Sequence, residues 1–233
     1  MSTVYLVPSL LHEDGVQAIP AYLLESVKKC EVIFAENERT TRRFLKKLDP
    51  SIVIDSFEWF TIDPEKNSHL SDFRKKVGER KDIAIISEAG CPGVADPGQE
   101  IISVAQKLNC TIRPLVGPSS ILLALMASGM NGQQFEFVGY LPIANNERDK
   151  RIRELDEVVR KTGSTKIFIE TPYRNNALFE SLLTNCNAQT LLCIGINITA
   201  PNEKIITKPI SEWKKQKPEL HKMPVIFLLG KTT

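Results

Sequence analysis

The chain has 233 residues, of which 42% are hydrophobic and 25% charged, and its formal net charge is +2. This composition is ordinary for a soluble globular protein, and the near-neutral charge excludes a strong overall attraction to nucleic acid. The five cysteines form no CxxC pair and the three histidines are scattered, which argues against a metal site and a disulfide framework. The first residues lack a signal-peptide pattern, and no apolar run is long enough to span a bilayer. We therefore expect a cytoplasmic protein without a membrane contact.

Predicted strands and helices alternate along the first half of the chain. Short apolar runs predict buried strands, and apolar residues at helical spacing predict helices. In chain order we expect strands at residues 4–7, 32–35, 52–54, 83–86 and 111–115, separated by helices near residues 21–29, 38–48, 71–79 and 101–108. This alternation predicts a mostly parallel sheet that is covered by helices.

The pattern changes at Val116-Gly117-Pro118, which we take as the domain boundary. We expect an N-terminal α/β domain over residues 1–116 and a C-terminal α/β domain over residues 117–233. The second half predicts helices over residues 119–128, 146–161 and 175–183 and strands at residues 135–140, 166–170, 191–196, 204–207 and 224–229. Fewer helices separate the later strands, so the second sheet is expected to be mixed. The helix over residues 146–161 carries both positively and negatively charged side chains, so we expect it to present a solvated face.

The most informative segment is the loop Ser87-Glu88-Ala89-Gly90-Cys91-Pro92-Gly93-Val94-Ala95-Asp96-Pro97-Gly98. It joins a predicted buried strand to a predicted helix, which is where open α/β sheets place a ligand site. Its glycines allow a ligand to approach the main chain, and its prolines stiffen the loop. A plain solvent-exposed connection is the alternative. The GxGxxG, GxxxxGK[ST] and GxSxG motifs do not occur, which argues against dinucleotide, P-loop and α/β-hydrolase sites.

This loop and the later Pro114-Leu115-Val116-Gly117-Pro118-Ser119-Ser120 resemble the S-adenosylmethionine-dependent tetrapyrrole methylase family (class III methyltransferases). The resemblance is strongest to its bacterial 16S ribosomal-RNA ribose-2′-O-methyltransferase branch. Three further blocks match that branch in the same order: Glu36–Arg42, Phe137–Pro142 and Phe168–Arg174. The chain departs from the branch at Glu88 and Asn37, which replace aspartates, and in its first loop, which lacks a Gly-Asn pair.

The resemblance implies two α/β domains with S-adenosyl-L-methionine bound in a cleft between them, and a homodimer. The leading function is methyl transfer to a ribose 2′-hydroxyl of ribosomal RNA. The alternatives are C-methylation of a tetrapyrrole (porphyrin or corrin) and cofactor binding without catalysis. The expected cofactor contacts are Pro8, Glu88, Ala89, Gly90, Cys91, Val94, Ala95, Ser119, Ser120, Glu170, Thr199, Ala200 and Pro224.

Three acids are candidate catalytic or substrate-orienting groups: Glu36, Glu88 and Asp96. A carboxylate in such a loop can instead organise it through bonds to nearby amides, and that alternative stays open. Arg39, Arg42 and Arg43 crowd the basic helix that follows Glu36. They are candidate substrate contacts for an RNA phosphate, with a merely solvated helix face as the alternative.

Overall fold

The computed structural model describes residues 1–63, 65 and 68–231 of the chain. By its internal contacts the chain divides into two compact units, Met1–Ser119 and Ser120–Thr233. The boundary expected between residues 116 and 117 lies within the last residues of the first unit. Among the described helices, none combines the length and the apolar character that crossing a membrane requires.

The first unit is a parallel sheet of five strands with helices in the connections. Its strands are β1 (Thr3–Val7), β2 (Val32–Ala35), β3 (Glu58–Thr61), β4 (Ile83–Ile86) and β5 (Thr111–Pro114). Its helices are α1 (Tyr22–Val27), α2 (Glu38–Leu48), α3 (Ser68–Gly78) and α4 (Gly98–Lys107). The strand order is β3-β2-β4-β1-β5, and every pairing is parallel. The loops that follow the strands therefore all lie at one edge of this sheet.

Apolar side chains on both faces of the central strands explain why this sheet is covered on both sides. Every residue of β2 and of β4 is buried. Successive side chains of a strand point to opposite faces. Accordingly, Ile33 and Ala35 pack in one buried cluster, while Val32 and Phe34 pack in another. The continuous apolar runs in the sequence are thus typical of parallel strands between two helical layers.

The strand expected at Ile52–Ile54 is wrong. Ile52 and Ile54 are buried and Val53 is 66% exposed, an alternation that mimics a strand. The chain instead forms a turn of 3-10 helix over Ile54–Ser56, and the strand follows as β3. No residue of β3 is fully buried, because it is the edge strand of the sheet. Its two aromatic residues, Trp59 and Phe60, are flanked by Glu58 and Thr61, so β3 is too short an apolar run to be found by a search for such runs.

The second unit contains a mixed sheet, as the sequence predicts. Its helices are α5 (Ser120–Ser128), α6 (Asn145–Thr162), α7 (Asn175–Asn185) and the short α8 (Ile210–Trp213). Its strands are β6 (Phe135–Tyr140), β7 (Thr165–Ile169), β8 (Leu191–Ile196), β9 (Lys204–Pro209) and β10 (Val225–Gly230). The order is β6-β7-β10-β8-β9, in which β6 and β7 are parallel and the other neighbours antiparallel. The central strand β10 is buried along its whole length.

The charged helix α6 is only partly the solvated helix that its sequence predicts, because Arg148 is buried. The Arg148 guanidinium donates hydrogen bonds to Ser181 Oγ at 3.1 Å, to the Ile143 carbonyl at 3.3 Å and to Asn145 Oδ1 at 2.8 Å. A buried charge needs partners of this kind. Arg148 therefore joins α6 to α7 and to the chain before α6, rather than facing water.

Candidate active site

The loops after β1 and β4 meet at the carboxyl edge of the first sheet. The Ser9 amide donates to the Gly90 carbonyl at 2.8 Å, and Ser87 Oγ donates to the same oxygen at 3.1 Å. Gly90 has φ +73°, which favours glycine, and a Cβ at this position would lie 3.3 Å from Leu11 Cδ2. The glycine thus allows the two loops to approach each other closely.

The loop after β5 joins the same surface. A Cβ at Gly117 would lie 2.2 Å from Pro8 Cβ, so only glycine fits against Pro8 there. Cys91 Sγ lies 3.6 Å from the Pro118 carbonyl oxygen. Burial raises the pKa of the Cys91 thiol, and the nearby Asp96 raises it further, so this thiol is not an activated nucleophile. Ser119 follows Pro118 and is half-buried.

Glu36 and Glu88, two of the predicted acids, are brought together although 52 residues separate them. Glu36 directly follows β2, and its amide donates to the Ile86 carbonyl at 3.1 Å. Glu36 Oε2 in turn accepts a hydrogen bond of 2.8 Å from the Glu88 amide. Asn37 Oδ1 caps α2 by accepting from the Thr40 amide at 3.2 Å, and Asn37 Nδ2 lies 3.5 Å from Glu88 Oε1. Asn37 was not among the expected site residues.

Asp96, the third predicted acid, holds the loop in shape. Its Oδ1 accepts hydrogen bonds from the Gly93 and Gly98 amides, each at 2.8 Å. Oδ2 is buried and has no hydrogen-bond partner among the described residues. Burial raises the pKa of the Asp96 carboxyl, although the two amide bonds oppose this shift. Gly98 is the first residue of α4, so Asp96 also satisfies an amide at the start of that helix.

The remaining residues of the loop after β4 have small or apolar side chains, so a ligand would meet mostly main chain there. Ala89, Val94 and Ala95 are exposed, and Ala95 has φ +60°. The Val94 amide donates to the Cys91 carbonyl at 3.3 Å, which closes a turn around Gly93. The exposed part of this loop consequently carries one ionisable side chain, that of Glu88, beside small and apolar residues.

The predicted residues of the second unit lie at one edge of its own sheet. Glu170 follows β7, Thr199 and Ala200 come after β8, and Pro224 precedes β10. Because β10 runs antiparallel to both neighbours, these positions share an edge. The Asn197 amide donates to the Pro224 carbonyl at 3.0 Å. Ser120 begins α5, which packs against β8, β9 and β10.

The Glu170 side chain is 1% exposed and pairs with Arg174. Its Oε1 accepts from the Thr171 amide at 2.6 Å and from Arg174 Nη2 at 2.6 Å. Thr199 has φ +73°, a conformation that is unusual for a β-branched residue, and its amide donates to Glu203 Oε2 at 2.7 Å. The Glu170 carboxylate thus stabilises the turn after β7, and Thr199 marks a strained turn after β8.

The three arginines of α2 have different surroundings. Arg42 pairs with Glu38 at 2.7 Å and with Asp55 at 3.2 Å, and its guanidinium lies 4.6 Å from the centre of the Trp59 ring. Arg39 and Arg43 are exposed, and neither forms an ion pair with a described residue. Of the three, Arg39 and Arg43 are therefore available to an external anion, while Arg42 is engaged within the first unit.

The structure also contains a cavity that the sequence did not predict. It has a volume of about 340 Å³ and lies between the loop after β1, helix α2 and the start of the loop after β4. We call it the α2 cavity; its lining residues are Ser9, Leu10, Leu11, His12, Glu13, Thr40, Arg43, Phe44, Lys47, Glu88 and Ala89. The α2 residues among them follow the spacing of one helix face, which is a signal that the sequence does contain.

Comparison with known proteins places this architecture in a family. The family model for tetrapyrrole (corrin/porphyrin) methylases matches residues 18–214. The ribosomal RNA small subunit methyltransferase I of Micromonospora olivasterospora is 29% identical over 210 residues, covering 90% of this chain and 64% of that protein. The protein of the same name from Halalkalibacterium halodurans is 28% identical over 192 residues, covering 82% of this chain and 63% of that protein. The chain thus spans less than two thirds of the length of these relatives.

A solved structure supports the same fold. The crystal structure of uroporphyrin-III-C-methyltransferase from Thermus thermophilus superimposes with a TM-score of 0.58 and 17% sequence identity, over 99% of this chain and 92% of that one. At this identity the likeness concerns the fold alone. Because the family model matches most of its residues, the chain belongs to the tetrapyrrole (corrin/porphyrin) methylase family.

Proposed function

We propose that this protein is an S-adenosyl-L-methionine-dependent methyltransferase that acts on a ribose 2′-hydroxyl of ribosomal RNA. The observation that carries the proposal is its similarity, over 90% and 82% of the chain, to two proteins named ribosomal RNA small subunit methyltransferase I. The resemblance of the Glu36–Arg42 and Phe168–Arg174 blocks to the ribose-methylating branch supports the same acceptor.

The loops of the first unit suit a cofactor that is held mainly by main chain. The amides of Ala89 and Cys91 donate a hydrogen bond to no described residue, and so remain available to a ligand. Gly90 keeps a side chain out of the space beside Leu11. When bound, S-adenosyl-L-methionine supplies an activated methyl group on a sulfonium sulfur. The residues of this unit that would hold it are Pro8, Glu88, Ala89, Gly90, Cys91, Val94, Ala95 and Ser119.

The predicted contacts from the second sheet edge stay a part of this proposal. They are Ser120, Glu170, Thr199, Ala200 and Pro224. Since Glu170 is buried and its Oε1 is bound by Thr171 and Arg174, we expect its carboxylate to fix the turn beside the cofactor.

Glu36 is the group best placed to take a proton. A ribose hydroxyl is a weak acid, so a general base is expected to contribute about 10²–10⁴-fold to its methylation. The Glu88 amide fixes Glu36 Oε2, whereas Glu36 Oε1 accepts no hydrogen bond from a described residue. In this proposal Glu36 Oε1 accepts the hydroxyl proton, Glu88 orients Glu36 and the acceptor, and Asp96 keeps the loop in place.

Transfer of a labelled methyl group tests the function directly. The protein is incubated with S-adenosyl-L-methionine that carries a tritiated methyl group, and with either small-subunit ribosomal RNA or a porphyrinogen. We expect label in the RNA, recovered after nuclease digestion as a 2′-O-methylated nucleoside. Label in the porphyrinogen instead would support the tetrapyrrole alternative. Label in neither, despite binding of the donor, would support a cofactor-binding protein without catalysis.

The role of Glu36 has its own test. Glu36→Gln should lower kcat by about 10²–10⁴-fold and leave the affinity for the methyl donor unchanged, because the variant removes a base and keeps the acceptor of the Glu88 bond. Glu38→Gln is the matched control on the same segment, since Glu38 contacts Arg42. An unchanged kcat in Glu36→Gln would exclude Glu36 as the base.

The oligomeric state and the location of the protein are also proposals. We propose a homodimer on the strength of the family resemblance, and a cytoplasmic location on the strength of the five cysteines, which form no disulfide framework in the sequence. Sedimentation analysis should then give twice the 26.2 kDa of the chain. Fractionation of cells should recover the protein with the cytoplasmic fraction.

A further inference from the structure

The α2 cavity differs in chemistry from an ordinary surface depression. Its volume of about 340 Å³ lies at the lower end of the range for small-ligand sites, about 300–1,000 Å³. Leu10, Leu11 and Phe44 give it an apolar part. Ser9 and Thr40 add polar groups beside them. His12 and the charged side chains of Glu13, Arg43, Lys47 and Glu88 complete the lining. Apolar surface combined with polar groups that fix the orientation of a ligand is typical of small-ligand sites.

One side of the cavity is cationic. Arg43 and Lys47 are four residues apart on α2, so they lie on the same face of that helix. The Lys47 ammonium donates to the Glu13 carbonyl, which fixes its position at the cavity. Arg43 has no ion pair with a described residue, in contrast to the neighbouring Arg42. An unpaired guanidinium with several donors is the side chain that best recognises a phosphate.

The cavity is continuous with the loop that we propose for methyl transfer. Glu88 and Ala89 line the cavity and also belong to that loop. Glu36, the proposed base, accepts its hydrogen bond from the Glu88 amide. A group seated in the cavity would therefore lie beside the position of the acceptor. The carboxylate of Glu13 would accept from an N–H group of a ring, as carboxylates do from base edges.

We propose that the α2 cavity binds a nucleotide of the RNA substrate that neighbours the methylated one. Its base lies against Leu10, Leu11 and Phe44, and its phosphate contacts Arg43, with Lys47 beside it. This inference rests on the proposed function and adds to it the place where sequence next to the acceptor is recognised. The cavity would select the acceptor because a flanking nucleotide seated here lies next to Glu88, whose amide is bound to Glu36.

Binding of RNA by charge variants tests the phosphate contact. The probe is a fluorescein-labelled fragment of small-subunit ribosomal RNA, titrated at several salt concentrations. Arg43→Gln should weaken binding about tenfold and lower the slope of log affinity against log salt by about 0.7, the value for one single-strand phosphate contact. Arg43→Lys should restore part of the affinity. The matched control is Lys46→Gln, since exposed Lys46 contacts the Pro50 carbonyl and lies outside the cavity lining.

Photo-cross-linking locates the base. RNA transcribed with 4-thiouridine is bound to the protein, irradiated, and mapped by mass spectrometry. We expect cross-linked peptides from residues 9–13 or 40–47. Cross-links confined to other segments would overturn the inference, as would equal binding by Arg43→Gln and Lys46→Gln. In either case methyl transfer by the wild-type protein would leave the proposed function intact, whereas failure of the wild type to bind RNA would overturn both.

Discussion

Replacement of Asp96 distinguishes a residue that shapes the loop from one that moves a proton. Asp96→Ala removes the oxygen that accepts two bonds of 2.8 Å from the Gly93 and Gly98 amides. Loss of a capping side chain at the start of a helix costs about 0.5–2 kcal/mol, and a bond to a charged acceptor contributes about 1.5–3 kcal/mol. The cost of burying the carboxylate offsets part of the stability that these bonds contribute, so we expect Asp96→Ala to lower the free energy of unfolding by about 1–2 kcal/mol.

Asp96→Asn is the matched variant, because it keeps an acceptor oxygen and removes the charge. Burial raises the pKa of Asp96 above the ordinary value of 3.8, so the folded protein holds this proton more tightly than the unfolded chain does. The wild type therefore loses stability as the pH rises from about 3.8 through the raised pKa. Asp96→Asn has no such step. It should be at least as stable as the wild type at pH 7, with a difference that shrinks in acid.

Calorimetry and titration of the methyl donor measure both effects. For a chain of this length 1 kcal/mol corresponds to about 2–4 °C in Tm, so Asp96→Ala should melt about 2–8 °C below the wild type and bind the donor more weakly. Unchanged Tm and donor affinity in Asp96→Ala would refute the loop-organising role. Loss of turnover in Asp96→Asn, with Tm and donor affinity retained, would assign proton transfer to Asp96 and refute the view that Asp96 only organises the loop.

Three further substitutions test other parts of the structure. Gly90→Val forces a β-branched residue into positive φ where the loops after β1 and β4 meet. Isothermal titration should show at least a tenfold loss of affinity for the methyl donor, and wild-type affinity in this variant would remove the loop from the site. Arg42→Ala removes the stack on Trp59, and its free energy of unfolding in urea should fall by about 1 kcal/mol; normal stability with weakened RNA binding would instead make Arg42 a substrate contact. Ser51→Ala removes the hydroxyl that chiefly lowers the pKa of Asp49 to about 2, so NMR titration should find that pKa closer to 3.8; an unchanged titration would exclude the Ser51 bond as the cause. The stabilisation that a lowered pKa provides is present above pH 3.8 and is lost as the pH falls toward 2, so the variant should also be less stable at neutral pH.

Secondary structure could be predicted where local chemistry determines it. The strand Val32–Ala35 and the helix Glu38–Leu48 have the predicted bounds, since a buried apolar run precedes a helix that Asn37 caps. The strand β3 could not be found in this way, because its apolar run consists of Trp59 and Phe60 alone, between Glu58 and Thr61. The buried Arg148 was missed for a related reason: its partners lie on other segments, and a charge pattern along one helix does not contain them.

The candidate site was predictable as a set of loops and unpredictable as a set of contacts. The glycines and prolines after β4 identify a loop that can lie close to a ligand. Whether Glu88 meets Glu36, or Ser9 meets Gly90, depends on strand order, which places β4 between β1 and β2. The separate environments of Arg42 and Arg43 likewise arise from the position of Trp59, on a strand that the sequence did not reveal.

The position of β10 has a consequence for how the second unit folds. This strand follows the other four strands of its sheet in the chain, yet it lies between β7 and β8 and is the link between the two halves of the sheet. Until residues 225–230 have left the ribosome, β6–β7 and β8–β9 are two separate pairs with exposed apolar edges. The second unit can therefore acquire its native sheet only after this strand has been synthesised, and a nascent chain that stalls before it presents those edges to chaperones.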